Sequence, residues 1–538
     1  MDNNSSGNFL DKNTIVAIVL CLVLWLGWSQ YLQNKYPDMD QAKSVPTDQV
    51  ATGANSSNLP ATKGGQLMGV SNNTEQEPSL NAKVEIPEAK EETISFNYDN
   101  LMFDISSNGM GLKNVAIKTY KDRDGEDIKI VEAGDIAAFA TFFRGEAKAI
   151  PFQLKKLNQN EVLGTFENEQ VIVEKKYFID ASNYKIETSI SVQGKGSSSI
   201  ASLQNQFAEK TVNPESAGFL IPSMDRQELF VAHSQDEERE IFSLEKPFSG
   251  SFKSVFTASL ASHYFAAAVI DRSDILPDID VTFDKSKELT IATLNYVFPA
   301  GNSKAALNYD LYIGPKDLDL LRTVDEKLVS IVDFGWFSGL AKPLLSLMKW
   351  LHTKVGNWGL AIIFLTILVR LVVLPFNVMS YKSMKKMQEI QPALKKVREK
   401  YKEDQVRMNQ EVMALMKHNK VNPAGGCLPM LLQFPVFIAL YRVLSESIEL
   451  YQAPFGLWIT DLSLKDPYYV LPVAMGICMF IQQKITPNTM DPAQQKAMMI
   501  MPVFFSLLMI SLPSGLTLYI FISTLFGIIQ QQAFMKKA

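Results

Sequence analysis

A single arginine, Arg370, interrupts the apolar run Gly356–Met379. A guanidinium stays charged at physiological pH and carries five N–H donors. Near the centre of a bilayer it costs about 2.5–3.5 kcal/mol on insertion scales, so it needs polar neighbours or water. Arg370 lies nine residues before Met379, roughly 14 Å from that helix end at ~1.5 Å per residue. The only acids in the apolar segments that follow, Glu446 and Glu449, stand toward the opposite membrane face. Glu446 also follows Arg442 at the helical spacing of an ion pair. Arg370 is thus left without a counter-ion, which points to a water-filled cavity; an arginine that snorkels or caps carbonyls is the plainer alternative. Thr366 lies one turn before it, Gln433 interrupts a later apolar segment, and Thr517, Ser523 and Thr524 interrupt the last. Each alone reads as an interhelical hydrogen bond. Together with Arg370 they outline one hydrophilic surface among apolar helices.

Other chemistry is sparse. The chain has four histidines and three cysteines, and Cys21, Cys427 and Cys478 sit far apart in apolar runs. This is neither a disulfide framework nor a metal-ligand spacing. There is no HExxH, GxSxG or GxxxxGK[ST] motif, and no histidine falls within an expected span to serve as the base of an intramembrane protease. No cofactor is implied, and the chain does not read as an enzyme. Sixteen of its 22 methionines follow Trp336. Flexible thioethers suit a surface that must accept varied apolar segments, although core filling explains any one of them equally well.

The elements that must position these residues follow from composition. Of 538 residues, 47% are apolar and 20% charged. The net charge of −5 hides a split: residues 1–335 carry 31 basic and 47 acidic side chains, and residues 336–538 carry 21 and 10. Two regions in different solvents are expected. After a short N-terminus, 1–13, an apolar stretch at 14–32 fits an uncleaved membrane anchor. Residues 33–92 are polar, rich in Asn, Ser, Thr, Gln and Pro, and read as a solvated tether. From 93 to 321, alternating apolar and polar residues between Asn/Asp/Gly turns predict an antiparallel β-sandwich, acidic and unsuited to nucleic acid. Residues 322–355 are amphipathic, with Trp336, Lys342, Lys349 and Trp350, and predict a helix lying on the membrane or packed on the sandwich.

Five further spans are expected, at 356–379, 424–448, 467–484, 497–512 and 514–533. The last two divide a 39-residue uncharged run at Pro513-Ser514-Gly515. The apolar part of each is read as only about 15–18 residues, roughly 22–27 Å at ~1.5 Å per residue, short for a bilayer core of ~30 Å, which would thin the membrane locally. Between the first two of these spans, 380–421 carries eleven Lys and Arg against five acids and predicts a cytoplasmic helical hairpin. Counting from it, the β-domain and the loop 449–466 lie outside. The N-terminus, the loop 485–496 and the tail 534–538 lie inside. Lys385, Lys386, Lys395, Lys396 and Arg398 on the hairpin, with Lys484, form a basic surface for RNA, acidic lipid or an acidic partner. A solvated hairpin that only supports the bundle is the plainer reading.

This layout resembles the YidC membrane-protein insertase family in its Gram-negative form. The matching residues are Val355-Gly-Asn-Trp-Gly359, Arg370, Val421-Asn-Pro-Ala-Gly-Gly-Cys-Leu-Pro429, Gln452-Ala-Pro-Phe455, Asp466-Pro-Tyr-Tyr469-Val-Leu-Pro472, Asp491-Pro-Ala-Gln-Gln-Lys496, Pro513-Ser-Gly-Leu516 and Ile529-Gln-Gln-Gln532. The likeness is close from Asp333 to Gln532 and looser over the β-domain. It implies a multi-domain membrane protein of the bacterial inner membrane. Six transmembrane α-helices, an N-terminal anchor and a five-helix insertase core, would accompany a periplasmic antiparallel β-supersandwich and a cytoplasmic helical hairpin.

The resemblance also implies a function. Arg370, Thr366, Gln433 and Thr524 would line a hydrophilic groove that receives the polar tail of a nascent membrane protein. Tyr519 would touch its hydrophobic segment; where relatives often carry a tyrosine pair, this chain has Tyr519-Ile520. Nascent membrane proteins, Sec translocon subunits, the ribosome and the lipid bilayer would be the partners. Two rivals from the residues themselves remain: a transporter or channel with Arg370 as an anion site, and a scaffold whose β-domain is the working part.

Overall fold

The computed structural model describes residues 86–537, except 123, 131–136, 196–201, 211–226, 234–238, 244–248, 285–288, 300, 420–427 and 487–491. The expected anchor at 14–32, nearly all of the tether, Cys21 and Cys427 lie outside the described residues.

The period-two stretches form strands. Val171–Asp180 alternates between inward and outward side chains along its whole length, as a half-buried strand must. Among the described residues, eighteen antiparallel strands form sheets of four, five and nine strands. In the nine-stranded sheet, Lys304–Pro315 is central and pairs with Lys185–Gly194 on one side and Phe265–Asp271 on the other. Leu203–Lys210 and Leu289–Tyr296 pair at the centre of the five-stranded sheet. Aromatic side chains fill the space between layers. Phe139 stacks on Phe207 with ring centroids 4.9 Å apart. The buried Tyr177 hydroxyl donates to the Met110 carbonyl at 2.6 Å. Lys175, also buried, is satisfied by the Gly109 and Phe139 carbonyls and the Thr141 hydroxyl at 2.9–3.1 Å. Burial pushes its ammonium well below the ordinary lysine pKa.

The amphipathic stretch differs from the single helix expected over 322–355. It is a short helix α1 (Leu318–Val324), two 3-10 turns (Glu326–Ile331 and Gly335–Phe337), and a longer helix α2 (Ser338–Val355). The breaks have local causes. The Asp325 carboxylate accepts from the Lys327 amide at 2.7 Å, and that of Asp333 from the Gly335 amide at 2.8 Å. Such side-chain bonds compete with helix continuation, and Gly335 adopts a left-handed φ of +65°. Trp336 is 74% exposed and Trp350 is 54% exposed, so both rings face outward.

Helix α3 (Trp358–Lys400) joins two of the expected segments. The span expected at 356–379 and the first hairpin arm from 380 are one helix of 43 residues, about 65 Å long at ~1.5 Å per residue. Pro375 and Pro392 lie inside it. Each removes one backbone bond; Pro392 stands among helix-favouring Gln391, Ala393 and Leu394, and the helix continues through both prolines. The chain turns at Tyr401–Asp404 into α4 (Gln405–His418), whose first turn is capped by Asp404 accepting from the Arg407 amide. The remaining helices are α5 (Leu428–Glu446), α6 (Val470–Ile485), α7 (Pro492–Met509) and α8 (Ser514–Lys537).

Among the described residues, α3 and Ser514–Phe534 are long and apolar enough to cross a membrane, and Val470–Ile485 and Met499–Met509 are shorter apolar helices. On α3, Leu360, Phe364, Leu368, Val372 and Phe376 are exposed while Ile362, Leu365, Thr366, Val373 and Asn377 are buried. One face is therefore apolar and uncovered by protein, as a lipid-facing helix requires.

Candidate functional site

Helices α3 and α8 run parallel, in register. The ideal Cβ of Gly515 would meet the Ile362 side chain at 3.5 Å. Further down, Arg370 meets Ser523 and Asn377 meets Gln530. Each of these pairs is 153 residues apart, and successive polar rungs are separated by seven residues. A seven-residue repeat keeps the same faces of two helices together. Here the seam is polar and lies between otherwise apolar helices.

Arg370 donates to the Ser523 hydroxyl from Nε at 2.9 Å and from one terminal nitrogen at 2.5 Å. Among the described residues no carboxylate lies within ion-pair distance of it. Glu446 is 3.6 Å from Arg442, and Glu449 is 2.7 Å from Lys349. The guanidinium is thus held by a neutral acceptor, which fixes its direction without cancelling its charge. The Gln530 amide continues the seam: its oxygen accepts from Asn377 at 3.3 Å, and its nitrogen donates to the Arg370 carbonyl at 3.5 Å. Gly527 opens space beside the arginine. A Cβ there would stand 3.2 Å from the Gln482 amide and 4.0 Å from the guanidinium. Gln482 on α6 therefore reaches the same place as Arg370. One turn further on, Gln531 and Thr486 exchange hydrogen bonds at 3.1 and 3.4 Å.

The other expected groove residues divide. Gln433 donates to the Tyr519 hydroxyl at 3.1 Å and bridges α5 to α8. Tyr519 is only 2% exposed, so the residue expected to touch a substrate segment is an interior one. Thr366 and Thr524 are buried, and their hydroxyls donate to carbonyls one turn back, Ile362 at 2.6 Å and Ile520 at 2.8 Å. Both bonds stay within their own helices. The basic residues lie elsewhere. Lys386, Lys395, Lys396 and Lys484 are exposed, and Lys385 and Arg398 are half-buried. The Lys484 ammonium sits 4.8 Å over the Phe480 ring.

Sequence reasoning left Asn377, Gln482 and Gln530 out of the site and noted Ser523 only as one of the polar residues that interrupt the last apolar segment. A signal existed: each is a polar residue in a long apolar helix, and Gln530 stands in the noted Ile529-Gln-Gln-Gln532 run. What was missing was the constant offset between α3 and α8. Among the described residues, no cluster of three or more His, Cys, Asp or Glu side chains could hold a metal ion. The arrangement offers a fixed cation and amide and hydroxyl groups inside an apolar bundle. It offers no nucleophile–base pair.

Comparisons agree with both halves of the architecture. Residues 93–347 match the family profile described as "YidC periplasmic domain", and residues 350–538 match "60Kd inner membrane protein". The "Membrane protein insertase YidC" of Geobacter metallireducens is 34% identical over 97% of this chain and 98% of its own length. That of Syntrophus aciditrophicus is 33% identical over 98% of this chain and 100% of its own. That of Geobacter sulfurreducens is 41% identical over 67% of this chain and 68% of its own.

Proposed function

The chain belongs to the YidC family of membrane protein insertases, and on that premise we propose that it inserts nascent integral membrane proteins into the bacterial inner membrane through a groove centred on Arg370. Its relatives are named for insertion and not for a chemical reaction. The observation that carries the groove reading is the pairing of Arg370 with Ser523 instead of a carboxylate. A charge held by a neutral hydroxyl keeps its attraction for water and for a substrate's polar tail. Together with Gln482, Asn377 and Gln530 it lowers the cost of moving such a tail part-way across. The substrate's apolar span supplies the driving force when it reaches lipid, and the shorter apolar helices Val470–Ile485 and Met499–Met509 reduce the distance to be crossed.

In this reading the core has five spans and the anchor a sixth. Both termini and the helical hairpin lie in the cytoplasm, with the β-domain in the periplasm. Thr366, Gln433 and Thr524 line the groove. Tyr519 meets a substrate segment when α5 and α8 part at the Gln433–Tyr519 bond. The exposed lysines of the hairpin and Lys484 are the docking surface for the ribosome, and insertion proceeds alone or beside the Sec translocon.

The test is reconstitution of the purified chain in liposomes with a single-span substrate that has a short polar N-terminal tail. Wild type should protect the tail from external protease, and Arg370→Ala should not. If neither inserts substrate and small anions leak through the wild type, an anion channel replaces this reading.

A further inference from the structure

The loop that joins α5 to α6 carries at its middle a tight hairpin whose sequence is wrong for water. Gly456 and Ile459 exchange backbone bonds at 3.1 and 3.3 Å, leaving Leu457 and Trp458 as the two turn residues. Leu457 has a left-handed φ of +55°. Two-residue hairpin turns with positive φ at the first position take Gly, Asn or Asp, because an L side chain clashes there. This turn has leucine, 91% exposed. A strained position filled by an exposed apolar side chain persists only where the surroundings favour it.

The loop is rigidly built beneath that tip. Asp466 accepts from the Trp458 indole at 2.9 Å, the Tyr468 amide at 3.1 Å and the Leu471 amide at 2.7 Å. Ser514 donates to the Asp461 carbonyl at 3.0 Å. On the other side, Asn357 donates to the Pro454 and Phe455 carbonyls at 3.1 and 3.2 Å. Asn357 also caps α3, so the tip stands level with the start of that helix. There the exposed apolar stripe begins at Leu360. Tyr468, 68% exposed, precedes the exposed Val470, Val473 and Ile477 of α6 in the same way. The hairpin therefore continues two lipid-facing surfaces at their outer ends.

We propose that the Phe455–Ile459 hairpin is a preformed lipid wedge, with Leu457 set into the acyl boundary of the outer leaflet. The occupant follows from continuity with the lipid-facing stripes of α3 and α6 and from the lack of any charged side chain between Gln452 and Thr460. An apolar tip with aromatic neighbours suits the headgroup–acyl boundary. The proposal rests on α3 crossing the bilayer and not on insertase activity, so its test reads depth alone.

The full chain, with its three cysteines replaced by serine, receives a nitroxide at Leu457→Cys and, separately, at Leu157→Cys, an exposed leucine of the β-domain. Power-saturation measurements in phosphatidylethanolamine/phosphatidylglycerol vesicles should give a label at 457 relaxed more by oxygen than by a nickel chelate, and the reverse at 157. Nickel accessibility at 457 would place the tip in water, and shielding from both agents would mean a protein cover; either overturns the proposal. Leu457→Asn suits the left-handed turn. It should raise the thermal midpoint in detergent but not in vesicles, where the lost lipid contact offsets the relieved strain. Equal rises in both would also overturn it.

Discussion

Lys349 on α2 reaches Glu449, just beyond the C-terminal end of α5, at 2.7 Å, and the same ammonium contacts Asp317 at 3.0 Å and Asp319 at 2.7 Å. One side chain thus ties the amphipathic helix to the base of the β-domain and to the membrane bundle. His263, from the β-domain, reinforces the junction through its Nε2 and the Ser445 carbonyl at 2.6 Å.

The Glu449 side chain is only 9% exposed, so removing its partner leaves a poorly solvated charge uncompensated. Lys349→Met should cost roughly 3 kcal/mol, measured as thermal unfolding in detergent. The double variant Lys349→Met/Glu449→Gln should recover most of it. If the double variant is no more stable than the single one, the ion pair is not the cause.

Ser523→Ala removes the acceptor of both guanidinium bonds, a loss of about 1.5–3 kcal/mol for a charge-assisted interaction. Insertion of the single-span substrate should fall several-fold in liposomes, and Ser523→Thr, which keeps the hydroxyl, should restore it. Undiminished insertion by Ser523→Ala would remove Ser523 from the site.

Gly359 is a packing constraint. A Cβ there would come within 2.0 Å of the Phe455 ring. Gly359→Ala should therefore destabilise the contact between the start of α3 and the Phe455 loop by about 1–3 kcal/mol, as overpacking does. Phe455→Ala in the same chain should relieve the clash. Additive losses in the double variant would show that the two sites do not touch.

Asp271 in the β-domain gives a pH dependence. Burial pushes its carboxyl up to about 6, against the hydrogen bonds from the Tyr296 hydroxyl and the Ser273 amide. The unfolded value is near 3.9, so between pH ~4 and ~6 the folded state binds more protons than the unfolded one. Stability from this group is then present below pH ~4 and falls as pH rises to ~6, by up to about 3 kcal/mol. Asp271→Asn should make the midpoint of β-domain unfolding, followed by circular dichroism, rise relative to wild type across that window. A difference between the two that does not vary with pH would refute the assignment.

Much of this was legible along the chain. The alternation in Val171–Asp180 is local, and so are the apolar runs and the Pro513-Ser514-Gly515 break between α7 and α8. The Asp325 and Asp333 caps that divide the 322–355 stretch were also there to be read. An amphipathic pattern that continues across them on one side of the chain masks them. The continuity of α3 through Pro392 was less legible, because a proline breaks a helix or merely kinks it according to what packs beside it.

Arg370 was identifiable as a charge without a counter-ion from its apolar neighbours alone. The sequence by itself determined that such a charge needed polar company, since the cost of leaving it bare depends only on the solvent around it. The tertiary structure alone decided which company: Ser523 and not Thr366, Gln482 from α6, and Gln433 turned toward Tyr519. Hydropathy and periodicity belong to neighbouring residues. Partner choice depends on the parallel register of two helices 153 residues apart, set by side-chain packing along their whole length.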